Sequence, residues 1–278
     1  MLTIDPKTEK TSLVHKYILG AVAPRPIAFA STIDRAGNLN LSPFSFFNAF
    51  SANPPILIFS PARRVRGNTI KHTLDNVMET NEVVIGIVTA EMAQQVSLSS
   101  CDFEKGVNEF EKAGFTAVKA DLVTPYLIKE SPVNFECKMN EVIALGKEGG
   151  AGNLVICEVL KIHIDEAILD ADENIDPLKL NALSRLGGNW YGKATKDSLF
   201  QLAKPIGKIG MGFDNLPEEI RNSEILTGNE LAILASAENI PEKNEFTLRD
   251  NKNTTEKHIL AKEFLSQGKI EEAWQIIL

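Results

Sequence analysis

Pro26-Ile27-Ala28-Phe29-Ala30-Ser31-Thr32-Ile33, then Asp34-Arg35-Ala36-Gly37-Asn38, then Leu39-Asn40-Leu41 is a β-prone run, a turn carrying Asp and Gly, and a second short run. The order predicts a β-hairpin. Working outward, Pro55-Ile56-Leu57-Ile58-Phe59-Ser60, Glu82 to Val88, Asn134 to Leu145 and Leu154 to Ile164 read as further strands. Five or more such strands suggest a sheet that closes on itself. In the stretch 134–145, Phe135, Cys137 and Met139 alternate with Glu136, Lys138 and Asn140, which predicts one buried and one wet face. That pattern belongs to antiparallel sheets.

Helical signals interrupt the strands. Between Thr69 and Thr80, Ile70, Leu74, Val77 and Met78 fall at i, i+4, i+7 and i+8, one apolar stripe. A second helix is predicted over about Ala90 to Val96, with Thr89 as N-cap and Glu91 in the positive first turn. From about residue 200 the character changes to Leu216–Arg221, Asn229–Glu238, a polar stretch Pro241–Thr255, and two helical runs, Glu256–Gln267 and Ile270–Leu278, parted by Gly268 at a C-cap. The expected organisation is a mainly β domain over residues 1–200 and a helical C-terminal extension over 201–278. Ala261, Phe264, Leu265, Gly268, Glu272 and Ala273 are spaced like one tetratricopeptide-type hairpin, and a single such unit cannot bury its own face.

Of the 278 residues, 44% are hydrophobic and 24% charged, which is ordinary globular usage and argues against disorder. Lys and Arg number 29 against 37 Asp and Glu, a formal net charge of −8, so nucleic acid and anionic membranes are expected to be repelled. Cys101, Cys137 and Cys157 form no C-x-x-C and are odd in number, which fits a reducing cytoplasm. Cys137 and Cys157 read as core residues and Cys101 as exposed; no metal site is expected. The start Met1-Leu2-Thr3-Ile4-Asp5-Pro6-Lys7 lacks the pattern of a signal peptide, and no window reads as a membrane span.

No G-x-S-x-G, H-E-x-x-H, P-loop or forward G-x-G-x-x-G occurs, and Gly207, Gly210 and Gly212 read as loop. Two stretches carry chemistry. In Leu41-Ser42-Pro43-Phe44-Ser45-Phe46-Phe47-Asn48-Ala49-Phe50, hydroxyls alternate with aromatics, and four phenylalanines in seven residues are costly to leave wet. Two readings fit it, a buried corner and a seat for a flat aromatic ligand. Ser60-Pro61-Ala62-Arg63-Arg64-Val65-Arg66-Gly67-Asn68-Thr69-Ile70-Lys71-His72-Thr73 puts four cations within nine residues, on a loop from a strand into a helix. Such a loop is either a solvated basic loop paired to carboxylates or a phosphate site.

The run Ala23-Pro24-Arg25-Pro26-Ile27-Ala28-Phe29-Ala30-Ser31-Thr32, the turn at Gly37-Asn38, and Asn40-Leu41-Ser42-Pro43-Phe44-Ser45-Phe46-Phe47 resemble the flavin reductase-like, FMN-binding split-barrel family, the flavoredoxin group. Arg66-Gly67-Asn68 to Asn76 resembles that family's Lys-Asp-Thr segment, and Arg185-Leu186-Gly187-Gly188-Asn189-Trp190-Tyr191 its closing Arg-Leu-Gly-Gly…Tyr signature. The resemblance extends to about residue 195. It implies a split antiparallel β-barrel with flanking helices, holding flavin mononucleotide (FMN) with NADH or NADPH as electron donor. Carried over, Ser42, Pro43, Phe44, Ser45, Phe46, Phe47 and Asn48 would line the isoalloxazine and ribityl chain, with Ser45 a side-chain donor. Ser60, Arg63, Lys71 and Thr73 would face the phosphate, with His72 where the family has Asp. Arg185 and Tyr191, from the last of these motifs, would also bind the cofactor. No catalytic acid–base residue is expected, because the hydride chemistry belongs to the flavin. A homodimer is implied, acting on a small-molecule acceptor or a redox partner protein. The alternatives are a non-enzymatic electron-transfer module and a split barrel for another ligand, a pyridoxal-type phosphate or haem. His163 reads as a sheet-edge histidine, and His15 and His258 as surface or packing residues.

Overall fold

The computed structural model describes residues 1–202, 204, 206–207, 209–244 and 252–278. Seven antiparallel strands form the main sheet: β1 (Ala28–Ile33), β2 (Leu39–Phe44), β3 (Phe47–Ala52), β4 (Pro55–Phe59), β5 (Glu82–Ile87), β6 (Val133–Ala144) and β7 (Asn153–Ile164). Their order is β2-β1-β5-β6-β7-β4-β3. The two ends of that order, β2 and β3, are joined by Ser45 and Phe46 alone. So short a link spans on the order of 10 Å, so the sheet must curl until its ends meet at one corner, where they stay unpaired. That is the geometry of a split barrel, and the sheet is antiparallel throughout as the alternation predicted.

The opening hairpin forms for local reasons. Asp34 Oδ1 accepts from the backbone N–H groups of Ala36 (2.9 Å) and Asn38 (2.8 Å), and Gly37 supplies φ +89°. Inside the curl, Ala28, Ala30, Phe44, Leu57, Phe59, Val83, Ile85, Cys137, Val155 and Cys157 make the core with Leu74 and Val77 of the helix His72–Thr80. A second cluster of Ile27, Phe29, Leu41, Val88, Met92, Val96 and Phe110 packs under the helices that follow β5.

Helix α1 (Thr11–Ala21), which has no buried residue, gave no signal in the sequence. Helix α2 (His72–Thr80) begins three residues after the predicted start, because Lys71 is extended at φ −80°, ψ 148°. A 3-10 turn, Ala90–Met92, precedes α3 (Ala93–Ser99), and α4 (Glu109–Ala113) follows.

Two expectations need correction. Glu136, placed on a wet face, is fully buried. Residues 121–123 cover it, and its carboxylate accepts from Asp121 N (3.0 Å), Leu122 N (2.6 Å) and Val123 N (3.1 Å), and pairs with His163 Nε2 (2.6 Å). Nor is the aromatic stretch a wholly buried corner. Phe44 sits in the core, but Phe46, in the link between β2 and β3, is 37% exposed, and Phe50, on the edge strand β3, is 64% exposed.

The chain divides into two compact units, Met1–Phe200 and Gln201–Leu278. In the second, helices Gly228–Ala235, Thr254–Ser266 and Ile270–Ile277 enclose Leu231, Leu234, Ala261, Leu265, Ala273 and Trp274, with Leu216 and Ile220 adding cover. The hairpin of the last two helices is therefore not left to bury its face alone. Gly268 takes φ +75° between them, and Asn253 and Glu256 form a capping box. Gly207, Gly210 and Gly212 lie in irregular chain. Residues 245–251 of the polar stretch lie outside the described residues. Among the described residues no helix is long and apolar enough to cross a membrane.

Candidate functional site

Two adjoining pockets form where the C-terminal half of β2 meets the chain at the end of α3. Ser100 lines both.

The first is polar, lined by Asn40, Ser42, Arg64, Lys71, His72, Thr73, Ser99, Ser100, Cys101, Asp102, Phe103 and Glu109. A buried network supports its floor. Thr73 Oγ1 donates to Asn40 Oδ1 (2.7 Å), Asn40 Nδ2 donates to Glu109 Oε1 (2.9 Å), and Leu41 N donates to Glu109 Oε2 (3.0 Å). Burial pushes the Glu109 carboxyl up, against the N–H groups of Leu41 and its own backbone and the amide of Asn40. His72 opens α2; burial first, then the charge of Arg64, holds its imidazole below its ordinary range, so it is neutral at neutral pH. Asp102 Oδ1 lies 3.4 Å from both Arg64 Nε and Lys71 Nζ. Lys71 first and Arg64 next hold that carboxyl below its usual range.

The second pocket, about 220 Å³, is lined by Ile27, Pro43, Ser45, Ala93, Val96, Ser97, Ser100, Arg185 and Tyr191. The guanidinium of Arg185 stands 4.4 Å over the Tyr191 ring, and its Nη1 donates to Trp190 O (3.0 Å). Backbone bonds tie Arg185 to Arg25 in both directions, and the short pair Ser184–Arg185 with Tyr191–Gly192 completes the wall. The glycines between them have a physical reason. A Cβ on Gly187 would stand 2.8 Å from Gly20 Cα in α1, and Gly188 takes φ +59°.

Eight of the residues singled out in the sequence thus line a pocket beside a neighbour from another segment: Ser42, Lys71, His72 and Thr73 in one, and Pro43, Ser45, Arg185 and Tyr191 in the other. The rest are placed elsewhere. Phe44 packs on Phe59, with ring centroids 5.5 Å apart, and Phe47 packs against the same core. Phe46 meets His15 edge-on at 6.4 Å. Asn48 is exposed and accepts from Ala49 N. Ser60 is buried, and a Cβ on Gly152 would stand 2.7 Å from its Oγ. Arg63 turns into its own loop, donating from Nε to Asn68 Oδ1 (2.7 Å) and from Nη2 to Asn68 O (2.6 Å). Its neighbour Arg64 faces the pocket, and two adjacent arginines in a loop cannot be told apart by pattern. Ser97, Ser100, Asp102 and Glu109 belong to no recognisable motif, and Asn40, though it opens the Asn40–Phe47 stretch, carries no local sign of its place on the pocket floor.

Other reactive groups are spoken for. Burial pushes the Cys157 thiol up to about 12 and the Cys137 thiol higher still, so both stay protonated. Asp121, Glu136 and His163 cluster as metal ligands would, but Lys161 holds Asp121 and backbone donors fill Glu136.

Residues 20–179 match the flavin reductase like domain family. A protein of Aquifex aeolicus described only as uncharacterized is 39% identical over 181 residues, 65% of this chain and 90% of that one. Among solved structures, nitrilotriacetate monooxygenase component B from Bacillus cereus superposes with a TM-score of 0.68 at 28% identity, covering 73% of this chain and 98% of that one. A chain from Shewanella frigidimarina, assigned as a flavin reductase with a split barrel domain, superposes at 0.61 and 25% identity, covering 71% and 95%. The unit Gln201–Leu278 lies beyond the residues matched by the family. The chain therefore belongs to the flavin reductase like domain family and is a flavin-binding oxidoreductase built on a split β-barrel.

Proposed function

We propose that the chain binds FMN, with the phosphate in the polar pocket and the ring system in the larger one, and passes reducing equivalents from NADH or NADPH to a small-molecule acceptor or a redox partner protein. The observation that carries this reading is the convergence of three separate segments, Ser42–Ser45, Arg64–Thr73 and Arg185–Tyr191, on two adjoining pockets of matching chemistry. The donor set fits: Arg64 and Lys71 already hold one anion, the carboxylate of Asp102. Family membership supports the same reading.

When bound, FMN supplies the hydride- and electron-carrying chemistry. Arg64 and Lys71 hold the phosphate by charge, and neutral His72 and the start of α2 add donors. Ile27, Pro43, Ala93 and Val96 keep water from the ring, while the Ser45 hydroxyl fixes its orientation. The one carboxyl in the polar pocket besides Asp102 is Glu109, and its oxygens are already bonded by Leu41 and Asn40, so no acid–base pair is asked of the protein.

The proposed working form is a cytoplasmic homodimer, which sedimentation of the purified protein tests. For the reaction, purified protein is mixed anaerobically with FMN and NADH or NADPH. Rapid bleaching of the flavin absorbance is expected, and absence of FMN binding in an equilibrium titration refutes the reading. A second reading is favoured by the separate compact unit Gln201–Leu278. There the chain stores electrons and that unit docks a redox protein, so bleaching would require the partner.

A further inference from the structure

The polar pocket holds its own anion. Asp102 Oδ1 sits 3.4 Å from both Arg64 Nε and Lys71 Nζ, the two cations that line the pocket. With the carboxylate there, the pocket encloses about 20 Å³, which is room for about one water molecule, and both cations are already paired. Glu109, the other acid lining the pocket, is committed to the backbone of Leu41 and the amide of Asn40, and makes no contact with either cation.

Asp102 is also free to leave. Its side chain is 73% exposed. The backbone hydrogen bonds around it are local: Ser100 N to Ser97 O, Cys101 N to Leu98 O, Phe103 N to Cys101 O and Val107 N to Glu104 O. Its ion pairs to Arg64 and Lys71 tie this loop to the segment that follows β4. The same loop carries Ser100, which lines both pockets, so removing Asp102 from the cations acts on the wall of the ring pocket too.

We propose that Asp102 is a resident competitor for the phosphate subsite: it pairs with Arg64 and Lys71 in the flavin-free protein, offsetting one of their two charges, must yield them to the phosphate, and so sets the flavin affinity low enough for exchange. The inference rests on the FMN reading above. It makes Asp102 a residue that lowers affinity for phosphorylated flavin and leaves phosphate-free flavin alone, since riboflavin makes no demand on the two cations. Its carboxylate is a determinant of how readily FMN is released.

The test is the dissociation constants of FMN and riboflavin, by fluorescence quenching at fixed low salt, for the full-length chain and for Asp102→Asn. Asparagine keeps the shape and removes the charge. FMN is expected to bind roughly tenfold more tightly to the variant, the scale of one unit charge a few ångströms from a phosphate in a wet site. Riboflavin is expected to change less than about twofold, and the FMN gain to shrink as salt is raised. Unchanged or weaker FMN binding by the variant overturns the proposal, because Asp102 would then order the cations for the phosphate. Equal tightening of both flavins overturns it as well, since the effect would be on the loop and not on the charge. Binding of FMN by the unsubstituted chain in either of those cases leaves the proposed function standing, whereas no FMN binding by either protein removes both.

Discussion

Replacing Arg64 with glutamine, beside the same change at Arg63, separates a phosphate site from a merely basic loop. Both side chains brace the segment 63–70: Arg63 through Asn68, Arg64 through Thr69 Oγ1 (3.3 Å) and Ile70 O. Each substitution therefore loosens the same loop, but only Arg64→Gln takes a charge from the pocket. A charge-assisted hydrogen bond contributes about 1.5–3 kcal/mol, which corresponds to about 10- to 150-fold in dissociation constant. Release of Asp102 offsets part of this, since the acid loses one of its two partners. Arg64→Gln is expected near the lower end, about tenfold weaker for FMN, and Arg63→Gln within about threefold of the unsubstituted chain. Riboflavin titrations supply the control, because only the phosphate senses the missing charge. Equal losses for FMN and riboflavin with Arg64→Gln, or a larger FMN loss with Arg63→Gln, would refute the placement of the phosphate.

Further outcomes follow from other parts of the site and its support. Ser45→Ala is expected to weaken FMN binding while leaving the chemistry on bound flavin little changed, read as a raised dissociation constant at constant bleaching rate at saturation. Thr73→Val cuts the 2.7 Å bond to Asn40 and should cost about 1 kcal/mol in urea denaturation; an unchanged midpoint would show that the network does not brace the pocket. Glu136→Gln turns one of the two acceptor oxygens into an NH2 donor, set either against the N–H groups of Leu122 and Val123 or against that of Asp121 and the ring of His163, and a loss of about 2–4 kcal/mol is expected. Although burial pushes the Glu136 carboxyl up, the hydrogen bonds of His163 and of residues 121–123 outweigh it and hold the carboxyl below its ordinary value. Its stabilisation is therefore present above the ordinary carboxylate range and lost as pH falls through the lowered value, so acid denaturation of Glu136→Gln should show a shallower pH slope. Gly187→Ala forces a Cβ to within 2.8 Å of Gly20 Cα and is expected to lower the unfolding midpoint and displace Arg185, which near-ultraviolet circular dichroism of Tyr191 would report.

Local pattern along the chain carries the strands, the antiparallel sense of the sheet, the break near residue 200 and the helical tail. Alternation, turn residues and caps are local, and physics acts on them locally. It also marked Ser42, Pro43, Ser45, Lys71, His72, Thr73, Arg185 and Tyr191, because each lies in a stretch whose composition or motif is unusual. Tertiary structure alone decided which of those stretches share a pocket, through the Ser45-Phe46 link that brings the ends of the sheet together. It decided that Arg64 and not Arg63 faces the pocket, since Asn68 claims one guanidinium and leaves the other. It buried Glu136 against the alternation, because a turn remote in sequence supplies the donors that a carboxylate needs. And it brought Asp102 to Arg64 and Lys71, a pairing across 31 to 38 residues of chain that no local pattern encodes.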